Sequence, residues 1–374
     1  MAAPMVARGD FHPLRVSSVD RLCDDAAAVT FDVPDELAEA YRFTPGQSLT
    51  LRRRIDDREE RRQYSICAAI GAAPRVGVRV VPDGMFSTWL VEQVRTGDEI
   101  DVQTPSGTFG PDPDLGGRHV LVAAGSGITP VLSIASSLLA NPAAEVTLLY
   151  GNRRASTVMF TDEVADLKDR FPARFEVIHV LSREPRDVEL FSGRLDADRL
   201  RRILTALIPA LSAARGPAPP PGADVDGFWL CGPFAMIESA RDVLRELGVP
   251  AEKVHRELFF VDDIPPPPVE HAEAGRGADH GGPSSRVTVT LDGRTTELSL
   301  PRDRPVLDSA QESRADLPYA CKGGVCGTCR AKVVTGEVTM RRNYALEDDE
   351  LAEGYVLTCQ SLPVSDELAL DYDA

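Results

Sequence analysis

Nowhere in this sequence does an uninterrupted apolar run approach the roughly 20 residues that a membrane-spanning helix requires, so no membrane insertion is expected. The overall hydrophobic content of 43% is ordinary for a globular protein. The first residues, M-A-A-P-M-V-A-R-G-D, lack the apolar segment of a secretory signal peptide. Basic residues are in deficit. The 41 Lys and Arg stand against 58 Asp and Glu, and the formal net charge of −17 argues against nucleic acid or anionic lipid as a partner. A basic protein partner suits that charge, as does simple solubility. No internal repeat is visible. The seven cysteines are an odd number, and nothing else points to secretion, so a disulfide framework is disfavoured and a cytoplasmic, reducing location is expected. At 374 residues the chain suits two or three domains with sizeable cores.

What is present is most informative near the C-terminus. Cys321, Cys326, Cys329 and Cys359 stand in Y-A-C-K-G-G-V-C-G-T-C-R and, further on, L-T-C-Q. This C-x4-C-x2-C…C spacing is that of a plant-type [2Fe-2S] cluster, a one-electron carrier. Gly323, Gly324 and Gly327 fit a loop that wraps tightly and aims backbone N–H groups at sulfur. A structural zinc site is the alternative, but it usually draws two C-x2-C pairs or a Cys/His mixture, and one such pair exists here. Cys23, Cys67 and Cys231 remain as expected free thiols.

Two composition shifts divide the chain. Residues 263–285 lie in a Pro-, Gly- and charge-rich stretch that reads as an interdomain linker. A second Pro-rich stretch, 213–224, falls between a helical pattern (Leu200, Ile203, Leu204, Leu207) and the run G-F-W-L-C-G-P, as a surface insertion within a domain. Short strands are expected at Val29–Val33, Ser48–Arg52, Gln63–Ile66, Val76–Val81 and Glu99–Gln103, so residues 10–112 read as an antiparallel β-barrel. Across 116–262, the runs H-V-L-V-A-A, V-T-L-L-Y, F-E-V-I-H-V-L and G-F-W-L-C alternate with helical patterns, as in a parallel α/β domain. Residues 286–374 open with V-T-V-T-L-D-G-R-T-T-E-L, a hairpin about an Asp-Gly turn.

In A-A-G-S-G-I-T-P, Gly125 and Gly127 follow the first strand of the α/β region and would let a backbone approach a pyrophosphate at a helix N-terminus; close packing alone would also use glycine there. The run L-C-G-P-F-A-M-I repeats the strand–turn–helix arrangement, and two such turns bracket a crevice of the dinucleotide-binding kind.

On these motifs the chain resembles the ferredoxin–NADP reductase superfamily, in the branch carrying a C-terminal plant-type ferredoxin domain of α+β, β-grasp-like fold. The likeness runs from about residue 12 to the end of the chain. It implies a flavin site in which Arg62, Gln63, Tyr64 and Ser65 match the R-x-Y-S motif: arginine on the FAD phosphate, tyrosine on the isoalloxazine, serine near N5. Gly84, Met85, Phe86 and Ser87 match the loop that binds the flavin pyrophosphate. Thr129, Cys231, Gly232, Pro233, Glu257 and Phe259 match positions around the nicotinamide and flavin rings, with Ser65, Cys231 and Glu257 as candidates for positioning them. The segments A-Y-R-F-T-P-G-Q-S-L-T-L, L-L-Y-G-N-R-R-A-S-T-V-M-F and L-P-Y-A-C-K-G-G-V-C-G-T-C are similar to the branch's reductases of phenylacetyl-CoA epoxidase, a di-iron oxygenase of phenylacetate breakdown; reductases of ketosteroid and other Rieske-type oxygenases share the architecture. The implied route is NADPH to FAD to [2Fe-2S] to an oxygenase component. A redox sensor that holds flavin and cluster without turning over a nicotinamide is the reading from another class.

For the coenzyme, NADPH is expected over NADH. NAD-selective sites usually place a carboxylate past the second strand, whereas Gly151-Asn152-Arg153-Arg154 has none. Past the third strand stand Ser182 and Arg183, similar to the pair that holds the 2′-phosphate in NADP-dependent members. Glu184 follows directly, where it would instead suit a ribose.

Overall fold

A computed structural model of the chain describes residues 10–55, 58–207, 225–259, 283–346 and 348–374. The expected insertion at 213–224 lies outside the described residues, as does the expected linker up to residue 282.

The N-terminal strands are β1 (Phe11–Cys23), β2 (Ala26–Asp32), β3 (Ser48–Ile55), β4 (Arg58–Ser65), β5 (Arg75–Arg79) and β6 (Glu99–Gln103). They form one sheet in the order β4-β3-β6-β1-β2-β5. An antiparallel bridge between Ile66, just past β4, and Val76 of β5 joins the two edges and closes the barrel. Leu14, Val16, Val29, Phe31, Leu49, Leu51, Val76, Val78, Ile100 and Val102 fill the barrel core. Helix α1 (Met85–Glu92) adds Phe86 and Leu90 to it. Within the barrel, β1 is a strand that the sequence reading lacked. Register shifts between Val16 and Ser18 and between Arg21 and Cys23 break its alternation, so the period-2 signal of a strand is scrambled.

The next strands are β7 (Gly117–Ala124), β8 (Ala144–Asn152), β9 (Phe175–Leu181), β10 (Gly227–Gly232) and β11 (Val254–Leu258). They run parallel in the order β11-β10-β7-β8-β9. Helices α2 (Ile128–Ala140), α3 (Thr161–Arg170), α4 (Ala197–Leu207) and α5 (Phe234–Glu246) connect them. Chain order reverses between β7 and β10, which opens a crevice at their C-terminal ends. Helix α2 buries residues all round its axis. In α4, Leu200, Ile203 and Leu204 are buried, as their helical spacing leads one to expect. Ala26, Ala28 and Cys67 of the barrel region share an apolar cluster with Ile128, Leu132 and Leu148. Ser133 Oγ donates to the Ala68 carbonyl at 2.7 Å, and Arg75 pairs with Glu163 at 2.9 Å. Phe11–Leu51 of the barrel and the chain from Tyr64 through the parallel sheet therefore form one compact unit, ending after β11.

The C-terminal unit contains β12 (Ser284–Leu291), β13 (Arg294–Pro301), α6 (Val306–Ala310), β14 (Arg330–Thr335), β15 (Val338–Met340), α7 (Asp348–Ala352), β16 (Tyr355–Leu357), β17 (Ser361–Pro363) and β18 (Glu367–Asp371). The expected hairpin is β12–β13, and Asp292 and Gly293 both take positive φ (52° and 67°), as a type I′ turn demands. Strand order is β13-β12-β18-β14-β16, with β12 parallel to β18, and a separate β15–β17 pair. Val287, Val289, Leu307, Leu317, Leu357, Leu368 and Leu370 make its core. Among the described residues, no helix is long and apolar enough to cross a membrane.

Candidate functional site

The four motif cysteines come together. Cys321 and Cys326 stand on the loop between α6 and β14, and Cys329 directly precedes β14. Antiparallel pairing of Arg330 with Leu357 brings Cys359, just past β16, to Cys329. Thr358 fixes the junction: its backbone N–H and its hydroxyl both donate to the Cys329 carbonyl, at 3.1 and 2.9 Å.

Electrostatically the thiols couple most strongly in two pairs, Cys321 with Cys326 and Cys329 with Cys359. Among the described residues, no three or more His, Cys, Asp or Glu side chains gather as a single-ion site. Two pairs suit two irons with two thiolates each better than the one tetrahedron of a zinc ion. The neighbouring Cys326 thiol lowers the Cys321 thiol against desolvation, with help from the amides of Val325, Gly323 and Cys326. The Gly323 N–H lies 3.3 Å from Cys321 Sγ. Lys322, Gly324 and Gly327 take positive φ, and Gln360 Nε2 holds the loop by donating to the Lys322 carbonyl at 2.8 Å. These residues fit a [2Fe-2S] cluster, which Cys321, Cys326, Cys329 and Cys359 would hold.

In the first unit, the turn after β7 is 3-10, Gly125–Gly127, and runs into α2. Gly125 has φ 57°, and a Cβ on Gly127 would overlap the carbonyl of Cys231. The turns after β7 and β10 therefore meet at backbone distance, which glycine alone permits. Thr129 is buried and donates to the Ser126 carbonyl at 3.0 Å, holding the turn. On the other side Pro233 caps α5 and Gly232 pairs with Leu258.

Cys231 lies opposite Glu257 in the β10–β11 ladder. Ser65, at the end of β4, donates its hydroxyl to Glu257 Oε2 at 2.8 Å. So three positions far apart in sequence converge at the mouth of the crevice. Desolvation pushes the Glu257 carboxyl up to about 8, and the Ser65 hydrogen bond only partly opposes it. Burial, with Glu257 beside it, raises the Cys231 thiol well above its ordinary range. Phe259, just past β11, is exposed.

Around the barrel motif, Tyr64 stands 6.2 Å from Phe86, whose ring meets Trp89 edge-on in the core. Arg62 Nη1 donates to the Arg61 carbonyl at 2.7 Å. At the Gly84–Ser87 loop, the Ser87 hydroxyl donates to the Gly84 carbonyl and accepts from the Val81 N–H, both at 3.0 Å. Ser87 thus shapes the turn, and Met85 is largely exposed. The loop closed this way stands at the start of α1, and helix N-termini favour phosphate groups.

Past β8 and β9, Arg153 and Arg183 are exposed neighbours: the Arg183 N–H donates to the Arg153 carbonyl at 2.8 Å, and the Ser182 N–H to the Asn152 carbonyl at 2.9 Å. Glu184 is committed elsewhere, its Oε2 accepting from the Ala155 N–H at 2.9 Å. Arg79 escaped the sequence reading. From β5 it reaches the glycine turn, with Nη1 3.3 Å from where a Gly125 Cβ would stand, and it is paired with Asp25 at 3.2 Å. No local motif marks it, because tertiary packing alone brings it there.

Comparison with known proteins agrees with this geometry. Residues 13–110 match an oxidoreductase FAD-binding domain, residues 121–242 an oxidoreductase NAD-binding domain, and residues 289–364 a 2Fe-2S iron-sulfur cluster binding domain. The chain is 41% identical to a subunit of the 1,2-phenylacetyl-CoA epoxidase of Escherichia coli (strain K12), over 97% of this chain and 98% of that one. It is 33% identical to the ferredoxin reductase component of 3-ketosteroid-9-alpha-monooxygenase of Rhodococcus rhodochrous, over 96% of each. The solved structure of phthalate dioxygenase reductase shares the fold, with a TM-score of 0.55 at 22% identity, over 96% of this chain and 98% of that one. Two paired thiolate sites, a closed barrel and a switch-point crevice thus coincide with three matched domains, and the chain belongs to the ferredoxin reductase superfamily, as an oxidoreductase with FAD-binding, NAD-binding and [2Fe-2S] domains.

Proposed function

We propose that this reductase draws electrons from NADPH and delivers them to a di-iron oxygenase that epoxidises phenylacetyl-CoA, in the cytoplasm. The observation that carries the choice of partner is the 41% identity to an epoxidase component across nearly the whole of both chains, against 33% for the ketosteroid enzyme's reductase. Held by the Arg62–Ser65 and Gly84–Ser87 segments, FAD would supply the means to accept a hydride and release single electrons, and the four motif cysteines would hold the one-electron [2Fe-2S] carrier. The chain's own task is to hold the two rings in register and to tune what surrounds them.

Tyr64 and Ser65 would meet the isoalloxazine, with Arg62 and Gln63 before them on β4 and the Gly84-Met85-Phe86-Ser87 loop taking the flavin phosphates. Gly125 and Gly127 admit the nucleotide pyrophosphate at the start of α2. Thr129, Cys231, Gly232, Pro233 and Phe259 border the nicotinamide. Ser65 and Glu257 act as a hydrogen-bonded unit at the ring edge, where a Glu257 carboxyl kept neutral near pH 7 donates a hydrogen bond and adds no negative charge beside a reduced ring. NADPH is favoured because Arg153, Ser182 and Arg183 stand together at the strand ends. Glu184, a carboxylate placed to suit a free ribose there, already accepts from the Ala155 amide.

The test is reconstitution. Purified reductase, without air, is titrated with NADPH or NADH and then combined with the epoxidase's other components and phenylacetyl-CoA under oxygen. NADPH should bleach flavin and cluster and support coupled epoxide formation. An unchanged visible spectrum with both coenzymes would leave the sensor reading. Coupling to a Rieske-type hydroxylase, with none to the epoxidase, would transfer the chain to that class of partner.

A further inference from the structure

Asn152, the last residue of β8, is 7% exposed, and both Oδ1 and Nδ2 are shut off from solvent with no hydrogen-bond partner among the described residues. Its amide lies near enough to the Tyr150 hydroxyl to oppose, in part, the upward push of burial on that phenol, but no bond of proper geometry joins the two. A buried amide with both ends unmet is costly, and an apolar residue of the same shape would serve the fold better. Its place in the sheet says what it serves. Side chains two apart on a strand share a face. Tyr150, two residues earlier, sends its hydroxyl to the Gly125 carbonyl at 3.2 Å and to the Met159 carbonyl at 3.3 Å. That spends the neighbouring phenol on the glycine turn and puts Asn152 on the same face, one position nearer the crevice. Register agrees, since Ala124, the residue before Gly125, pairs with Gly151. The Asn152 backbone is fixed as well, its carbonyl accepting from Ser182.

We infer that the Asn152 amide is an anchor for the junction between the pyrophosphate and the nicotinamide ribose of the pyridine nucleotide. The junction offers the two functions that the amide lacks: a phosphate oxygen to accept from Nδ2, and a ribose hydroxyl to donate to Oδ1. Arg79 supplies charge at the same turn, whereas Asn152 supplies a paired donor and acceptor, which fix orientation. The amide meets the nucleotide by turning about its side-chain torsions from its sealed position. Asn152 is thus a positioning residue, and its assignment rests on the crevice being the nucleotide site.

The experiment uses the full-length holoprotein. Asn152→Leu keeps the shape and removes both polar atoms; Asn152→Ala is the second variant should leucine disturb the strand. Affinities are measured for NADP+ and NAD+, which contain the junction to the nicotinamide ribose, and for 2′,5′-ADP and AMP, which contain only the adenosine end. The expected result is a loss of about tenfold or more for the dinucleotides, with unchanged affinity for the fragments. Flavin and iron content should be unaltered, and the nucleotide-free variant should melt at or above the wild-type temperature. A lower melting temperature with unchanged dinucleotide affinity would make Asn152 structural and overturn the assignment. Equal losses for dinucleotides and fragments would overturn it too, by moving the effect to the adenosine end. If the wild-type protein binds neither dinucleotide, the nucleotide site itself is misplaced; if it binds them and the variants bind equally well, the Asn152 assignment alone fails.

Discussion

Replacing Glu257 by Gln tests the electrostatics of the crevice through stability. The unfolded carboxyl ionises near 4.5, whereas desolvation holds it up to about 8 in the folded chain. Between those values the folded chain retains a proton that the unfolded chain has lost. Stability therefore falls as pH rises through that window, is unaffected below it, and has lost its full share above it. Each pH unit costs about 1.4 kcal/mol at most, and because the unfolded carboxyl is only half ionised at 4.5, raising the pH from 4.5 to 6 removes about 1.6 kcal/mol. Glutamine has no such proton to lose and still offers an oxygen to the Ser65 hydroxyl. The variant should gain on the wild type as pH rises. With a urea dependence of about 2.5 kcal/mol per molar, the gap between midpoints should widen by about 0.65 M. The chain's two tryptophans, Trp89 on α1 and Trp229 on β10, both belong to the unit concerned, so their fluorescence follows its unfolding alone. Midpoints that run parallel from pH 5 to 8 would refute the reasoning, as would a gap that narrows.

Three further outcomes are expected. Serine at any one of Cys321, Cys326, Cys329 or Cys359 should remove or strongly deplete the [2Fe-2S] spectrum, while flavin reduction by the nicotinamide survives; equal loss of both in a folded variant would contradict the modular arrangement. Arg183→Ala should lower kcat/KM for NADPH by about tenfold, as expected for a lost charge-assisted contact, and leave NADH nearly untouched; an equal effect on both coenzymes would end the NADPH assignment. Gly127→Ala places a methyl group against the Cys231 carbonyl, where backbone cannot yield cheaply. It should destabilise the first unit by about 1–3 kcal/mol and weaken dinucleotide binding, read by thermal melting and by NADP+ titration; wild-type values in both would mean that the two turns stand further apart.

Much of this architecture was legible because local signals agreed with the global fold. The Asp-Gly turn, the apolar runs of β7 to β10 and the α4 periodicity each name their own structure, and the cysteine spacing fixes a loop. Strand β1 was not legible, because its bulges erase the alternation. Strand β11 is short, with only Leu258 buried, so V-H-R-E-L carries little apolar pattern, and its role depends on pairing with β10. The candidate site divides the same way. Motif residues such as Gly127 and Cys231 announce themselves in sequence, but the Ser65–Glu257 hydrogen bond spans 192 residues and has no sequence signature. Arg79 and Asn152 belong to that silent class, since each is ordinary until packing sets it beside the glycine turn.

The pairing of the cluster cysteines bears on how the protein matures. Cys321 and Cys326 lie within one short loop and can meet in a chain that has barely begun to fold. Cys329 and Cys359 meet only once β14 has found β16, which requires closing a long intervening segment at an entropic cost. Three of the four motif cysteines, Cys321, Cys326 and Cys329, are thus local, and the fourth, Cys359, is conditional on tertiary structure. A nascent chain can present at most three of these ligands, so completion of a [2Fe-2S] centre on them would certify that β14 and β16 have paired. The colour of the finished protein is, in that sense, a record of correct assembly.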